Sequence, residues 1–205
     1  MTSNNNSPKS ITIFVCPPTC LPSEIPGLAA LLKEVVDENI PLNFCQPFSL
    51  KDAEAWWGDL QKGVDAGTEI VILAHKHADD LDQHEKQSGE SENTWSGRRL
   101  VGCVILYLAQ KTNAFHRGEI GKLLVTKEER GSGVGKRLMD CLEDQARKHG
   151  RTILVLDTET GSPAEKFYDR TGWIKVGDLP DVVYLPDKSA LSSCTFYYKR
   201  ISRPI

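Results

Sequence analysis

No stretch of the chain comes near the ~20 consecutive apolar residues that a membrane-spanning helix needs. Residues 1–10 are polar and lack the hydrophobic centre of a secretory signal. A strong charge of either sign is missing as well. The net charge of −3 gives no general attraction to nucleic acid or to an acidic membrane. Six cysteines, at 16, 20, 45, 103, 141 and 194, are spread over 205 residues, unlike the dense framework of a disulfide-held domain. Cys103 falls in a strand pattern and Cys141 on an apolar helix face, where both read as small core residues. Cys16 and Cys20 have no second pair to complete a zinc site. His75 and His77 flank Lys76 without a thiol or carboxylate at companion spacing, so no metal site is expected. No internal repeat is visible. These absences point to a reducing compartment, the cytoplasm first and the nucleus second. What is present, 40% hydrophobic and 26% charged residues, suits one domain with a sizeable core.

Residues 1–10, rich in Asn and Ser, are expected to be a disordered tail ahead of a single domain over 11–205. Ile11–Val15 reads as a strand stopped by Pro17 and Pro18, and 27–36 as a helix. Ser49 with Asp52 reads as an N-cap, and Leu50, Ala53, Trp56, Trp57, Leu60 and Val64 line the helix behind it. Strands are expected over 69–74 and 100–109, separated by a polar insertion at 77–97 with no apolar period. Further on, 153–156 reads as a buried strand. Ser162, Pro163 and Glu165 read as a capping box opening a helix that ends near Gly172. Strands follow at 173–176 and 195–199, with 182–191 irregular. The order β-α-α-β-β-β-α-β-α-β-β describes a mixed α/β sandwich with a largely antiparallel sheet.

The chain is organised around 119–137. Leu123, Leu124 and Val125 form an apolar run that reads as a buried strand. A charged segment, 127–130, leads into Arg130-Gly131-Ser132-Gly133-Val134-Gly135. Then Val134, Leu138, Cys141, Leu142 and Ala146 fall on one helical face, closed by His149-Gly150. Glycines let the backbone approach a ligand closely. The unpartnered N–H groups and dipole of a helix start attract an anion such as a pyrophosphate. A Walker A loop fails here, because Arg130 and Arg137 stand where a glycine and a hydroxyl residue belong. A dinucleotide fingerprint loses its third glycine to Lys136, although Asp157 lies at the right distance for a ribose contact and keeps that reading as a rival. The third pattern, Arg/Gln-x-x-Gly-x-Gly/Ala, is met by Arg130, Gly133 and Gly135.

That third pattern resembles the pyrophosphate loop of the GNAT N-acetyltransferases. The resemblance extends over much of 50–200, through the segments 117–123, 137–140, 156–162, 164–168 and 176–180. It implies the GNAT fold, with strands splayed around the cofactor site, and acetyl-CoA as co-substrate without a metal. It implies direct acetyl transfer to an amine, with a small-molecule acceptor favoured and a protein lysine or N-terminus as the alternative. A catalytically inactive CoA-binding module is the alternative of another class. A homodimer is one option for assembly. Glu119 matches the general base position, where burial is expected to raise its pKa. Asp157 would orient or help deprotonate the amine, and Tyr168 would protonate the departing sulfur. The bland alternatives are strand-end carboxylates and a packing aromatic. The cofactor would meet Leu123, Leu124, Val125, Arg130, Gly131, Ser132, Gly133, Val134, Gly135, Lys136, Ser162 and Phe167. The insertion at 77–97 departs from the compact family pattern on the acceptor side.

Overall fold

The structure, a computed structural model, describes residues 11–77 and 98–201. In chain order they form β1 (Ile11–Val15), α1 (Leu21–Asp37), α2 (Leu50–Asp65), β2 (Glu69–His77), β3 (Arg98–Leu108), β4 (Arg117–Val125) and a 3₁₀ turn (Lys127–Glu129). Then come α3 (Val134–Lys148), β5 (Ile153–Glu159), α4 (Pro163–Arg170), β6 (Ile174–Tyr184) and β7 (Leu191–Arg200). The strands make one sheet in the order β1-β2-β3-β4-β5-β7-β6. Every neighbouring pair is antiparallel except β4 with β5.

That exception shapes the molecule. Arg117, Gly118 and Glu119 lie opposite Ile153, Leu154 and Val155, and there the pairing stops. Beyond it β4 continues along β3 and β5 continues along β7. The two strands therefore part, and the sheet opens between them.

Strand side chains alternate between faces, and each face is covered. Val71, Leu73, Cys103, Ile105 and Leu124 pack with α1 and α2, where Leu28, Leu32, Val36 and Trp57 are buried. Ile72, Val104, Leu106, Leu154, Leu156 and Tyr197 pack with α3 and α4. α3 is held by Val134, Leu138, Met139, Leu142 and Ala146, the stripe that its sequence period outlines. α2 starts with the full capping box: the Ser49 hydroxyl accepts from the Asp52 N–H, and the Asp52 carboxylate from the Ser49 N–H.

Several boundaries differ from the sequence expectation. α1 begins at Leu21, ahead of 27, because Pro22 occupies the first turn, where no N–H partner is needed. Leu21 is fully buried there. β2 runs to His77 and β3 starts at Arg98. Their polar ends are accommodated by partners: His75 Nε2 meets Glu24 Oε2 at 3.1 Å, and Lys76 Nζ meets Glu129 Oε1 at 3.0 Å. β6 runs through to Tyr184 rather than stopping at 176, and β7 begins at Leu191. Residues 182–191 are thus strand ends and a turn, not an irregular stretch. β6 is the sheet edge, which tolerates Pro180. Register shifts at Gly177 and beyond Leu179 break the alternation that would have marked it in the sequence. At α4 the capping box is partial. Ser162 Oγ accepts from the Glu165 N–H, but the Glu165 carboxylate accepts from the Gly161 N–H. The tail at 1–10 and all but the first residue of the insertion at 77–97 lie outside the described residues.

Candidate functional site

The opening between β4 and β5 ends at the glycine turn. Gly131 (φ +81°) and Gly133 (φ +91°) both adopt the left-handed backbone that disfavours side chains. The Ser132 N–H bonds the Glu129 carbonyl. The first helical N–H to bond back is that of Arg137, to the Gly133 carbonyl at 3.2 Å. Those of Val134, Gly135 and Lys136 are left as the orphan donors of a helix start, at the positive end of its dipole. A Cβ placed on Gly135 would lie 3.9 Å from the Phe167 ring and 4.0 Å from Val125 Cγ2. Val125 from β4, Gly135 from α3 and Phe167 from α4 are therefore neighbours across the opening. A pyrophosphate-bearing cofactor fits this arrangement, since the turn offers unpartnered donors and open space stands where Gly131 and Gly133 lack a Cβ.

The turn is fixed from behind. Arg130 Nε donates to the Val125 carbonyl at 3.1 Å and its Nη1 to Glu38 Oε2 at 2.6 Å, so this side chain braces the turn against β4 and α1. The Lys76–Glu129 pair is almost wholly buried and ties the preceding 3₁₀ turn to β2. Lys136 pairs with Asp140 on its own helix.

β4 carries a bulge where it leaves β5. Gly121 lies opposite Ile105 and Leu124 opposite Cys103, so Lys122 and Leu123 together oppose Val104 alone. Lys122 takes φ +50°, a strained value for a lysine that costs ~1–3 kcal/mol and must be held by its surroundings. Beyond the bulge the Thr126 N–H bonds the Val101 carbonyl. By strand alternation the Val125 N–H points away from β3, into the opening, while that of Leu124 turns toward β3. Leu123 is half-buried against the α3 side, and Leu124 is buried on the α1–α2 side.

Glu119 sits at the last position where β4 and β5 pair, and Asp157 lies just beyond Val155 on the diverging strand. Both carboxylates are exposed, so the burial expected at Glu119 is not found. Asp157 is the electrostatic hub. Its charge acts on Tyr168 from α4, on Cys194 from β7 and on Lys122 from β4. Tyr168 is buried, with its ring 5.7 Å from Trp173 and 5.8 Å from Tyr197. Burial first, and then Asp157, push its phenol well above the ordinary range. It therefore stays protonated at neutral pH. Phe167 packs beside it at 5.2 Å. Ser162 Oγ is engaged as the α4 cap.

The α1–α2 side of the opening holds residues that sequence reasoning did not assign to the site. Tyr107 lies opposite Glu119, with its ring where a Gly121 Cβ would stand. Burial, and then Glu69 and Glu119, raise its phenol strongly. Lys122 Nζ donates to the Leu42 carbonyl at 2.8 Å and lies 5.0 Å from the Phe44 ring and 5.1 Å from the Trp56 ring. Burial pulls this lysine down to about 8, against the opposing charge of Asp157. The α1–α2 loop that presents Leu42 and Phe44 also meets the β6–β7 turn. The Gln46 N–H donates to the Pro186 carbonyl at 2.7 Å, and the Asp187 N–H to Asn39 Oδ1 at 3.0 Å. One signal in the sequence was a lysine standing directly before the apolar run of Leu123, Leu124 and Val125.

Among the described residues no group of three His, Cys, Asp or Glu side chains is arranged to hold a metal. His75 and His77 are engaged separately, with Glu24 and with Thr12 Oγ1. None of the helices of the described residues is long and apolar enough to cross a membrane.

Comparison with known proteins agrees with this fold. The model of the Acetyltransferase (GNAT) family matches residues 56–173. N-alpha-acetyltransferase 30 of Schizosaccharomyces pombe is 32% identical over 78 residues, 38% of this chain and 52% of that protein. Its Saccharomyces cerevisiae counterpart is 30% identical over 77 residues, 37% of this chain and 44% of that protein. The chain thus matches about half the length of these curated relatives. Among solved structures, yncA of Salmonella typhimurium, determined with its cofactor acetyl-CoA, superposes with a TM-score of 0.66 at 15% identity, covering 96% of each chain.

Proposed function

This chain belongs to the acetyltransferase (GNAT) family, and from that premise we propose that it transfers acetyl from acetyl-CoA directly to the amine of a small, amino-acid-like acceptor. The observation that carries the reading is the β4–β5 opening. It has orphan N–H donors at one end and two exposed carboxylates where the strands part. The segments 117–123, 137–140, 156–162, 164–168 and 176–180 resemble the tabtoxin-resistance acetyltransferase, a resemblance more specific for the family than for the acceptor.

In this reading acetyl-CoA supplies an activated thioester, and the chain positions it and moves protons. The N–H groups of Val134, Gly135 and Lys136 receive the pyrophosphate. The Val125 N–H, aimed into the opening, faces the thioester arm and stabilises negative charge on its oxygen. Glu119 accepts a proton from the acceptor ammonium, and Asp157 orients the amine. The amine nitrogen forms the new C–N bond as the C–S bond breaks, and its second proton is lost to solvent to leave the neutral amide. Tyr168, held protonated by burial, gives its proton to the departing sulfur and recovers one from solvent.

A second reading, acetylation of a polypeptide N-terminus, is favoured by the yeast relatives, whose names carry that activity. The two hydrogen bonds between the α1–α2 loop and the β6–β7 turn favour a small acceptor, because in this reading they bridge the acceptor side. The test is release of free CoA across small amines, amino acids, polyamines and peptides, with the acetylated product identified by mass. Turnover of small amines with weak activity on peptides is expected. Turnover confined to peptides selects the second reading. Acetyl-CoA binding without turnover of any amine leaves a CoA-binding module.

A further inference from the structure

Among the described residues Lys122 makes no direct ion pair, although the charge of Asp157 acts on it. Its ammonium has been drawn out of water against the Phe44 and Trp56 rings, and one of its three donors is used by the Leu42 carbonyl. Among the described residues no carboxylate lies within ion-pair distance of it. Elsewhere the fold pairs its buried lysine directly, as with Lys76 and Glu129. A partly buried ammonium without a direct ion pair costs stability, and its place at the bulge beside the opening makes it a candidate for binding an anion. The strained backbone of Lys122, at the bulge where β4 leaves β5, supports the same conclusion.

The surroundings say what the missing anion belongs to. Glu119 and Asp157 are exposed on the strands flanking the opening, and Lys122 lies on the same strand as Glu119. Two acids and one cation are complementary to a zwitterion, whose ammonium faces the acids and whose anionic group faces the lysine. We propose that Lys122 is the specificity-determining residue for the acceptor, binding a carboxylate carried beside the amine that is acetylated. The inference rests on the acetyltransferase reading and narrows it: the substrate class is the free amino acid or a close relative with an ionised carboxyl group. The remaining ammonium donors take the carboxylate, and the bond to Leu42 and the two rings hold Nζ in place for it.

The proton on Lys122 matters. The charged and titratable groups acting on it are Asp157 from β5 and Cys103 from β3. α2 and the α1–α2 loop meet it with Trp56, Phe44 and the Leu42 carbonyl. Burial brings it down to about 8, so it is charged below that pH and loses its charge above it. A bound carboxylate favours the charged form. Carboxylate affinity is therefore full below about 8 and declines as pH rises through and beyond that value.

The experiment compares each free amino acid with its carboxamide as acceptor, in the parent protein, Lys122→Met and Lys122→Arg. The ratio within one protein cancels any loss of folded material. A charge-assisted contact of this kind predicts a carboxylate preference of roughly 10–100-fold in kcat/KM. Lys122→Met should bring that ratio to about one, chiefly through KM, and Lys122→Arg should retain part of it. Calorimetry on the CoA-bound protein reads the same contact without turnover. N-acetyl-leucine should bind, its carboxamide should bind more weakly, and the difference should fade above about pH 8. Carboxamides accepted as well as carboxylates overturn the proposal, as does a preference that survives Lys122→Met. Turnover of peptides with neutral first residues but of no free amino acid also overturns it. If no amine releases CoA, the acetyltransferase reading fails, and calorimetry still decides the carboxylate site.

Discussion

The proposed mechanism places a base at Glu119, a position that is open to solvent. Glu119→Gln keeps the shape and removes proton acceptance, so kcat/KM should fall by ~10²–10⁴-fold. Steady-state kinetics with the best acceptor checks it, and a variant with the parent's rate moves the role to Asp157 or to water. Tyr168→Phe keeps the ring among Trp173 and Tyr197 and removes the proton that burial retains. Its kcat should drop while acetyl-CoA affinity holds, since the contact matters mainly in the transition state. A kcat equal to the parent's, under conditions where chemistry limits the rate, returns Tyr168 to packing alone. The two carboxylates and the tyrosine enter the proposal because they stand inside a recognisable pattern. Lys122 was not legible in this way. Its meaning depends on Leu42, Phe44 and Trp56, which reach it from a loop and a helix far away in the chain. Sequence spacing carries no record of that meeting.

At the scale of the element, the glycine turn makes two separable demands. Gly133 needs its positive φ, so Gly133→Val strains the backbone by ~1–3 kcal/mol and should lose stability and CoA affinity together. Gly135 is an ordinary helical position whose added Cβ would meet Phe167 and Val125 at van der Waals contact. Gly135→Ala should therefore leave the melting temperature unchanged or higher, since alanine favours helix by ~1 kcal/mol, while CoA binding weakens. Scanning calorimetry beside CoA titration separates the two. Affinity untouched by Gly135→Ala takes that residue out of the cofactor path. The turn was legible because its glycines, its helix stripe and the strand before it follow in uninterrupted order. The end of β2 was not, because His75 and Lys76 look like loop residues until Glu24 and Glu129 are placed against them. Removing one member of a buried pair strands the other, so Lys76→Met should cost ~3–5 kcal/mol, measured by denaturant unfolding. A loss below about 1 kcal/mol would mean that the pair behaves like a surface contact. β6 was hidden for a different reason: its register shifts and Pro180 erase the alternation that marks a strand.

Across the whole molecule, the sheet is continuous except where β4 and β5 part, and each site element faces that opening. The glycine turn closes one end, and α4 brings Phe167 and Tyr168 from the β5 side. The α1–α2 loop and the β6–β7 turn are joined to each other by hydrogen bonds, on what the proposal takes as the acceptor side. The mixed, largely antiparallel architecture was legible from the order of elements. The opening was not, because it arises from a strand pair that stops after Glu119 and Val155 while both strands continue. The central claim is that this opening is built for acetyl-CoA and not for a dinucleotide. Thermal unfolding with acetyl-CoA, NAD or ATP tests it most directly, since a ligand of the folded state raises its stability by mass action. At about 100 times its dissociation constant acetyl-CoA should add ~2.7 kcal/mol, which for a chain of this size is roughly 5–10 °C, and NAD and ATP should add little. A melting temperature raised by NAD and unmoved by acetyl-CoA would contradict the account.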